Sequence, residues 1–174
     1  GRVALVTGAS QGIGQGCSRA IAAAGAKMFI AQRNVENAEE EAKYLRATHG
    51  VEVEVMKVDV TKRVEVDAMV KACVDTFGKL DILVNNAGAS VAKRLENTTD
   101  EEMSYWFDLN YFSVFWAMRA AFPHMKAQKY GRIINMGSLN RVNAHMFSAP
   151  YNPSKEAVRA LTRTAAVEWG AHGI

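Results

Sequence analysis

Short β-branched runs alternate with longer amphipathic segments along the chain, and this alternation restricts the fold more than any other feature. The β-branched runs predict five strands, over residues 3–7, 27–31, 51–58, 81–84 and 132–136. Helical spacing and terminal glycines predict helices over residues 12–24, 34–48, 61–77, 100–127 and 153–169. Strands that are joined through helices form right-handed crossovers. We therefore predict an α/β fold with a doubly wound parallel sheet in a single domain.

Composition and charge narrow the class of protein. The 174 residues, 49% of them hydrophobic, are sufficient for one substantial core. Lys and Arg number 21 against 18 Asp and Glu and are scattered, so nucleic acid is not an expected partner. Neither Cys17 nor Cys73 has a Cys or His at metal-ligand spacing, which predicts reduced packing residues and no metal site. Without a basic leader or a membrane-length apolar run, we predict a cytoplasmic protein that makes no membrane contact.

The first predicted strand runs into a glycine-rich turn, TGASQGIG over residues 7–14, and then into a helix. Glycines let the backbone turn sharply and approach a pyrophosphate, and the helix N-terminus supplies free N–H donors. The turn predicts a cofactor-binding segment made of Gly8, Ser10, Gln11, Gly12, Ile13 and Gly14. A glycine-rich turn that binds no ligand is the alternative for this motif taken alone.

Two further motifs follow in order, NNAG over residues 85–88 and YNPSK over residues 151–155. Together with TGASQGIG they resemble the short-chain dehydrogenase/reductase family, and the resemblance covers essentially the whole chain from Val3. It implies a Rossmann fold in which residues 1–174 form the dinucleotide-binding and catalytic domain. Members of the family continue with further strands and a substrate-covering loop, so we expect that C-terminal region to be absent here.

The resemblance implies an NAD(P)-dependent oxidoreductase that interconverts a carbonyl and a secondary alcohol. It makes Tyr151 the general acid and base, with Lys155 favouring the phenolate and holding the nicotinamide ribose. It also implies that Ser138 hydrogen-bonds the substrate oxygen and that Asn110 anchors a water chain. The rest of the cofactor cleft is implied to consist of Asp59 and Val60 at the adenine, with Asn86, Ala87 and Gly88. Taken alone, Asp59 indicates an acid near a helix start.

The spacing of the YNPSK motif predicts its local geometry. Tyr151 and Lys155 are four residues apart, so a helix over both places them on one face. Pro153 suits a helix start but disfavours helical backbone at Asn152. We therefore predict that the helix begins at Pro153 and that Tyr151 lies just before it.

The choice of cofactor depends on the end of the second strand, which reads AQRN over residues 31–34. A fold specific for NAD usually places a carboxylate there, and none is present. The Arg33 guanidinium suits a 2′-phosphate, so we predict NADP in preference to NAD. The alternative is that Arg33 is a solvated residue, and Gln11 is neutral where the family has a second basic position.

Several alternatives remain at this stage. The substrate is open between 3-oxoacyl thioesters and sugars or polyols. A cofactor-binding regulatory module without turnover is the alternative function, although such a module would not need the proton-transfer residues. A flavodoxin-type flavin domain would lack this glycine spacing. By resemblance we expect a homo-oligomer, a tetramer or dimer, and a stripe of large side chains predicts core plus subunit contact: Trp106, Tyr111, Phe115, Trp116 and Met118. We interpret His145 as a solvated loop residue.

Overall fold

The computed structural model describes residues 1–139, 143 and 145–174. A parallel sheet with the strand order β3-β2-β1-β4-β5 forms its centre. Its strands are β1 Val3–Thr7, β2 Lys27–Gln32, β3 Val53–Lys57, β4 Ile82–Asn85 and β5 Arg132–Asn135. The predicted doubly wound parallel sheet is confirmed, with every strand within two residues of its predicted ends.

Six α-helices cover the sheet in the described ranges. They are α1 Gly12–Ala23, α2 Val35–His49, α3 Arg63–Phe77, α4 Asp100–Phe107, α5 Ser113–Ala127 and α6 Tyr151–Trp169. Glycines in the left-handed region end two of them, Gly50 at φ 65° after α2 and Gly78 at φ 77° after α3. Asn34 caps the start of α2 by accepting a hydrogen bond from the Asn37 N–H.

The two faces of the sheet carry separate cores. Val3 and Leu5 of β1 belong to the cluster that packs α3 and α5 against the sheet. Ala4 and Val6, which point the opposite way, belong to the cluster that contains residues of α1 and α2. All five residues of β1 are buried, as a parallel strand covered on both faces requires.

The single helix predicted over residues 100–127 is wrong. The structure divides this segment into α4, a π-helix Asp108–Phe112 and α5. Thr99 and Glu102 form a reciprocal capping box at the start of α4. The π-helical turn inserts extra backbone between two regular helices, which a count of apolar spacing does not detect.

The predicted start of the last helix is also wrong, because α6 begins at Tyr151 and not at Pro153. The N–H groups of Tyr151 and Asn152 donate to the Ser148 carbonyl at 3.2 and 3.0 Å, which holds Asn152 in helical backbone. Pro153 then lies in the first turn, where its missing N–H removes no helical hydrogen bond. Both residues of the Tyr151–Lys155 pair are therefore in the helix.

Other predictions concern packing. Cys17 and Cys73 are both unpaired, and burial raises the pKa of the Cys73 thiol to about 12. In the large side-chain stripe, Met118 is buried, while Trp106 and Trp116 pack partly buried against the core on the α3 and α5 side.

None of the helices in the described ranges has the length and apolar character needed to cross a bilayer. The cytoplasmic location stays a prediction.

Candidate active site

A cleft with a volume of about 610 Å³ lies at the carboxyl ends of the strands. It opens where the strand order reverses, since the chain proceeds from β1 to β2 and β3 on one side and to β4 and β5 on the other. Its lining comes from the ends of all five strands and from helical segments that include α6: Gly8, Gln11, Gly12, Ile13, Ala31, Gln32, Arg33, Asn34, Asn37, Val58, Val60, Asn86, Ala87, Gly88, Ala89, Ser90, Leu109, Met136, Gly137, Tyr151 and Lys155. Residues from all three sequence motifs therefore meet in one place.

The glycine turn closes one end of the cleft. Gly8 and Gly12 have φ angles of 65° and 52°, which side chains rarely adopt. A Cβ on Gly14 would lie 2.1 Å from the Gly8 carbonyl oxygen and 2.4 Å from Asn86 Nδ2, so the backbones approach too closely for any side chain. Gln11, at the N-cap of α1, makes no side-chain capping hydrogen bond. The first turn of α1 therefore faces the cleft with its N–H donors uncapped by that side chain.

Asn86 joins the NNAG segment to this turn. Its Nδ2 donates to the carbonyl oxygens of Thr7 and Gly8 at 3.0 and 2.9 Å. In return, the Thr7 hydroxyl accepts from the N–H groups of Asn86 and Ala87, both at 3.0 Å. The end of β1 and the end of β4 are thus fastened by four hydrogen bonds. Thr7 was not among the predicted site residues, although its place before Gly8 was the available signal.

The adenine-side residues divide between the cleft and its support. Val60 and the exposed Arg33 line the cleft, whereas Asp59 does not. The Asp59 carboxylate accepts from the Thr61 N–H and hydroxyl at 3.0 and 2.8 Å. Burial raises the pKa of this carboxyl, but those hydrogen bonds and the charge of Arg33 together lower it below its usual value. Asp59 therefore shapes the turn beside the cleft.

Lys155 is the most deeply buried charged group facing the cleft. Its side chain is on α6, and its Nζ donates a hydrogen bond to the Met136 carbonyl oxygen just after β5. Nζ also lies 5.8 Å from the centre of the Tyr151 ring. Burial lowers the pKa of Lys155 to about 8. No carboxylate among the described residues forms a salt bridge with it.

Asn110 lies behind the cleft wall, fully buried in the π-helix. Its Oδ1 accepts from the Ala89 N–H at 3.2 Å and its Nδ2 donates to the Ala89 carbonyl at 3.0 Å. A Cβ on Gly88 would lie 2.7 Å from Asn110 Oδ1 and 3.4 Å from Lys155 Nζ. The absence of a side chain at Gly88 therefore leaves room for Asn110 and Lys155 to approach this segment.

Three further residues considered from the sequence, Ser138, Ser10 and His145, are not among those that line the cleft. Ser138 is half-buried and follows Gly137, which lines the cleft beyond β5. Ser10 is half-buried in the glycine turn and contacts Gln32, a cleft-lining residue that was not among the predicted site residues. His145 is exposed. In the described part of the chain, no three His, Cys, Asp or Glu side chains are grouped closely enough to hold a metal ion.

The fold and the cleft define a nucleotide-binding protein of the Rossmann class. The family model for short chain dehydrogenases matches residues 2–174, and the chain belongs to that family. Membership makes it an NAD(P)-dependent oxidoreductase. The predicted resemblance to this family is therefore confirmed. Membership also excludes the alternative of a flavodoxin-type flavin domain.

Individual relatives differ in what they act on. Mitochondrial borneol dehydrogenase of Lavandula x intermedia is 39% identical over 176 residues, which cover all of this chain and 66% of that protein. The structure of L-sorbose reductase from Gluconobacter frateurii, complexed with NADPH and L-sorbose, is similar with a TM-score of 0.96 and 32% identity, covering 99% of this chain and 65% of the other. An NAD⁺-bound xylitol dehydrogenase gives a TM-score of 0.94 and 32% identity, covering 99% and 66%. The chain spans about two thirds of the length of these proteins.

Proposed function

We propose that residues 1–174 form the dinucleotide-binding and catalytic domain of an oxidoreductase that transfers a hydride between NADP(H) and a carbonyl or secondary alcohol, with Tyr151 as general acid and base. One observation carries this proposal. Tyr151 and Lys155, on the first turns of α6, line the same cleft as the glycine turn and Arg33. A candidate proton-transfer pair and a candidate phosphate-binding turn therefore line one cleft, as a nicotinamide-dependent enzyme requires.

The residues present suit a dinucleotide. The uncapped first turn of α1 offers N–H donors to a pyrophosphate, and nothing lies within 4 Å of the position where a Cβ on Gly12 would be. Lys155 offers an ammonium to ribose hydroxyls at the opposite end. A bound nicotinamide would supply the hydride chemistry.

The side chains of this chain would manage the proton. We propose that the Tyr151 hydroxyl donates a proton to the carbonyl oxygen during reduction and takes it back during oxidation. Ser138, which is beside the cleft-lining Gly137, would hold the same oxygen. The Lys155 ammonium favours negative charge on the phenol oxygen, and burial among few competing charges strengthens that effect.

Asn110 is proposed to support this proton path from behind. Both ends of its amide hold the backbone of Ala89, directly after Gly88. The π-helical turn places the amide where a regular helix would direct it elsewhere, and such turns occur frequently at functional sites. We propose that the remaining hydrogen-bonding capacity of this amide anchors a water that exchanges protons with Lys155.

The preference for NADP is proposed from Arg33. Its side chain is exposed at the cleft next to the end of β2, where no carboxylate is present to repel a 2′-phosphate. Relatives of similar fold bind NADPH in one case and NAD⁺ in another, so the preference depends on local residues. Arg33 is the local residue whose charge distinguishes the two.

The test is an activity panel with a matched inactive variant. Purified protein is assayed with ketones, 3-oxoacyl thioesters and ketoses, each with NADPH and with NADH. We expect turnover on at least one class, faster with NADPH, and loss of turnover in Tyr151→Phe. Activity that survives in Tyr151→Phe would contradict the assigned role, and tight cofactor binding without turnover on any class would favour the regulatory module instead.

We also propose a homo-oligomer, a dimer or tetramer. Apolar side chains are exposed along the segment that carries Asn110 and along α6: Tyr105 is 43% exposed, Phe112 38% and Val167 85%. Light scattering coupled to size exclusion measures the mass directly. A 19.1 kDa species at micromolar concentration would contradict this proposal, and Val167→Glu is the variant expected to weaken the assembly.

A further inference from the structure

The amide of Gln32 is fully engaged by the glycine turn. Gln32 is the last residue of β2, and its Oε1 accepts from the Ser10 N–H at 3.1 Å. Its Nε2 donates to the Ser10 hydroxyl and to the Asn34 carbonyl oxygen, the latter at 3.1 Å. Although Gln32 lines the cleft, the oxygen and the nitrogen of its side chain are therefore both hydrogen-bonded to protein groups.

The opposite side of Ser10 is held as well. Gln15 Nε2 donates to the Ser10 carbonyl oxygen at 3.2 Å and to Glu41 Oε2 at 2.7 Å. Glu41 is buried on α2, and Arg19 contacts both of its carboxylate oxygens at 2.8 Å. The N–H and the carbonyl of Ser10 are thus both fixed, one from β2 and one from a buried ion pair between α1 and α2.

We propose that Gln32 is a positioning residue that sets the shape of the phosphate-binding turn through Ser10 and does not itself choose between the two cofactors. The inference rests on the proposed cofactor site. To reach ribose hydroxyls, the Gln32 amide would have to leave both Ser10 groups and the Asn34 carbonyl. The two Ser10 bonds are part-buried, and breaking them leaves polar groups of the turn without their partner, so the amide stays with the turn.

The two neighbouring residues consequently divide two tasks. Arg33 is exposed at the cleft and can read the 2′-phosphate that only NADPH carries. Gln32 supports a turn whose target, the pyrophosphate, is common to NADPH and NADH. Loss of Gln32 is therefore expected to weaken both cofactors alike, whereas loss of Arg33 weakens only one.

Dissociation constants of NADPH and NADH separate these roles, measured by fluorescence titration of wild type, Gln32→Ala and Arg33→Ala. For Gln32→Ala we expect both constants to rise about threefold to tenfold, the effect of one or two lost hydrogen bonds, with their ratio unchanged. For Arg33→Ala only the NADPH constant should rise. A Gln32→Ala variant with altered ratio, or with both constants unaltered, would overturn the inference.

Ser10→Ala and the double variant complete the test. If Gln32 acts through Ser10, the double variant binds no more weakly than the weaker single variant, because both changes remove one shared interaction. Fully additive losses would contradict the coupling. Lys43→Ala, an exposed change on α2, is the matched control, and thermal unfolding of all variants identifies losses due to general destabilisation. If wild type binds neither cofactor, the proposed function itself fails, and this inference fails with it.

Discussion

The Lys155 ammonium donates its hydrogen bond to the Met136 carbonyl oxygen, at 2.9 Å, and not to a carboxylate. A neutral carbonyl compensates a buried positive charge only in part, and burial accordingly lowers the pKa of Lys155 from 10.5 to about 8. The fold therefore keeps an under-compensated cation against the cleft. A cation whose charge is only partly compensated would stabilise the negative charge of the proposed Tyr151 phenolate more strongly than a salt-bridged one.

The first prediction concerns stability against pH. The folded protein holds the Lys155 proton less tightly than the unfolded chain does, so the buried ammonium destabilises the folded state. This destabilisation is fully present below pH 8 and disappears as the pH rises to 10.5. Lys155→Met should therefore raise the free energy of unfolding near pH 7, by on the order of 3 kcal/mol at most. The advantage over wild type should shrink between pH 8 and 10.5. Denaturant unfolding without cofactor at several pH values measures this difference, with the exposed Lys43→Met as the charge-loss control, and a pH-independent difference would contradict it.

The second prediction concerns Tyr151. Replacing it by Phe removes the hydroxyl without reshaping the nucleotide end of the cleft, so kcat should fall about 100-fold or more while cofactor affinity changes little. Steady-state rates and NADPH titration on the same preparation measure both quantities. Retention of more than about a tenth of wild-type kcat would exclude general acid–base catalysis by this group.

The third prediction concerns Arg33. A charge-assisted contact to a 2′-phosphate is worth roughly 1.5–3 kcal/mol, so wild type should bind NADPH about tenfold to a hundredfold more tightly than NADH. Arg33→Ala should remove most of that preference, and raised salt should reduce it in wild type, because the side chain is exposed. Equal binding of the two cofactors by wild type would leave Arg33 as a surface charge.

The fourth prediction compares two glycines of α1. A methyl group on Gly14 would overlap the Gly8 carbonyl and the Asn86 amide, so Gly14→Ala should destabilise the protein by about 1–3 kcal/mol and weaken cofactor binding. Gly16 is exposed in the same helix with nothing within 4 Å of a Cβ, so Gly16→Ala should stabilise by about 0.5–1 kcal/mol. Thermal unfolding of Gly14→Ala and Gly16→Ala measures the two changes in stability. Equal changes would contradict the close approach of the backbones at Gly14.

The sequence was sufficient for the sheet because each strand is a short apolar run between strong turn residues. Its parallel arrangement followed from the crossover helices, and the structure agrees. The start of α6 could not be predicted, because the backbone of Asn152 is held by Ser148, a contact that no local propensity of Pro153 reveals.

Site residues with backbone motifs were likewise easier to predict than those that act through side-chain contacts. Glycines of the turn and the Tyr151–Lys155 spacing are visible as patterns. Gln32 and Thr7 are ordinary strand-end residues until the fold brings Ser10 and Asn86 against them. The π-helical turn at Asn110 has no apolar signature of its own.

The bonds from Asn86 to Thr7 and Gly8 join residues 79 and 78 positions apart in the chain. β1 can pair with β2 early, since a single helix separates them, but β1 meets β4 only after a much longer segment has been closed. During synthesis the glycine turn therefore emerges long before its fastening residue. The glycine turn therefore gains its hydrogen bonds to Asn86 only when β1 and β4 come together.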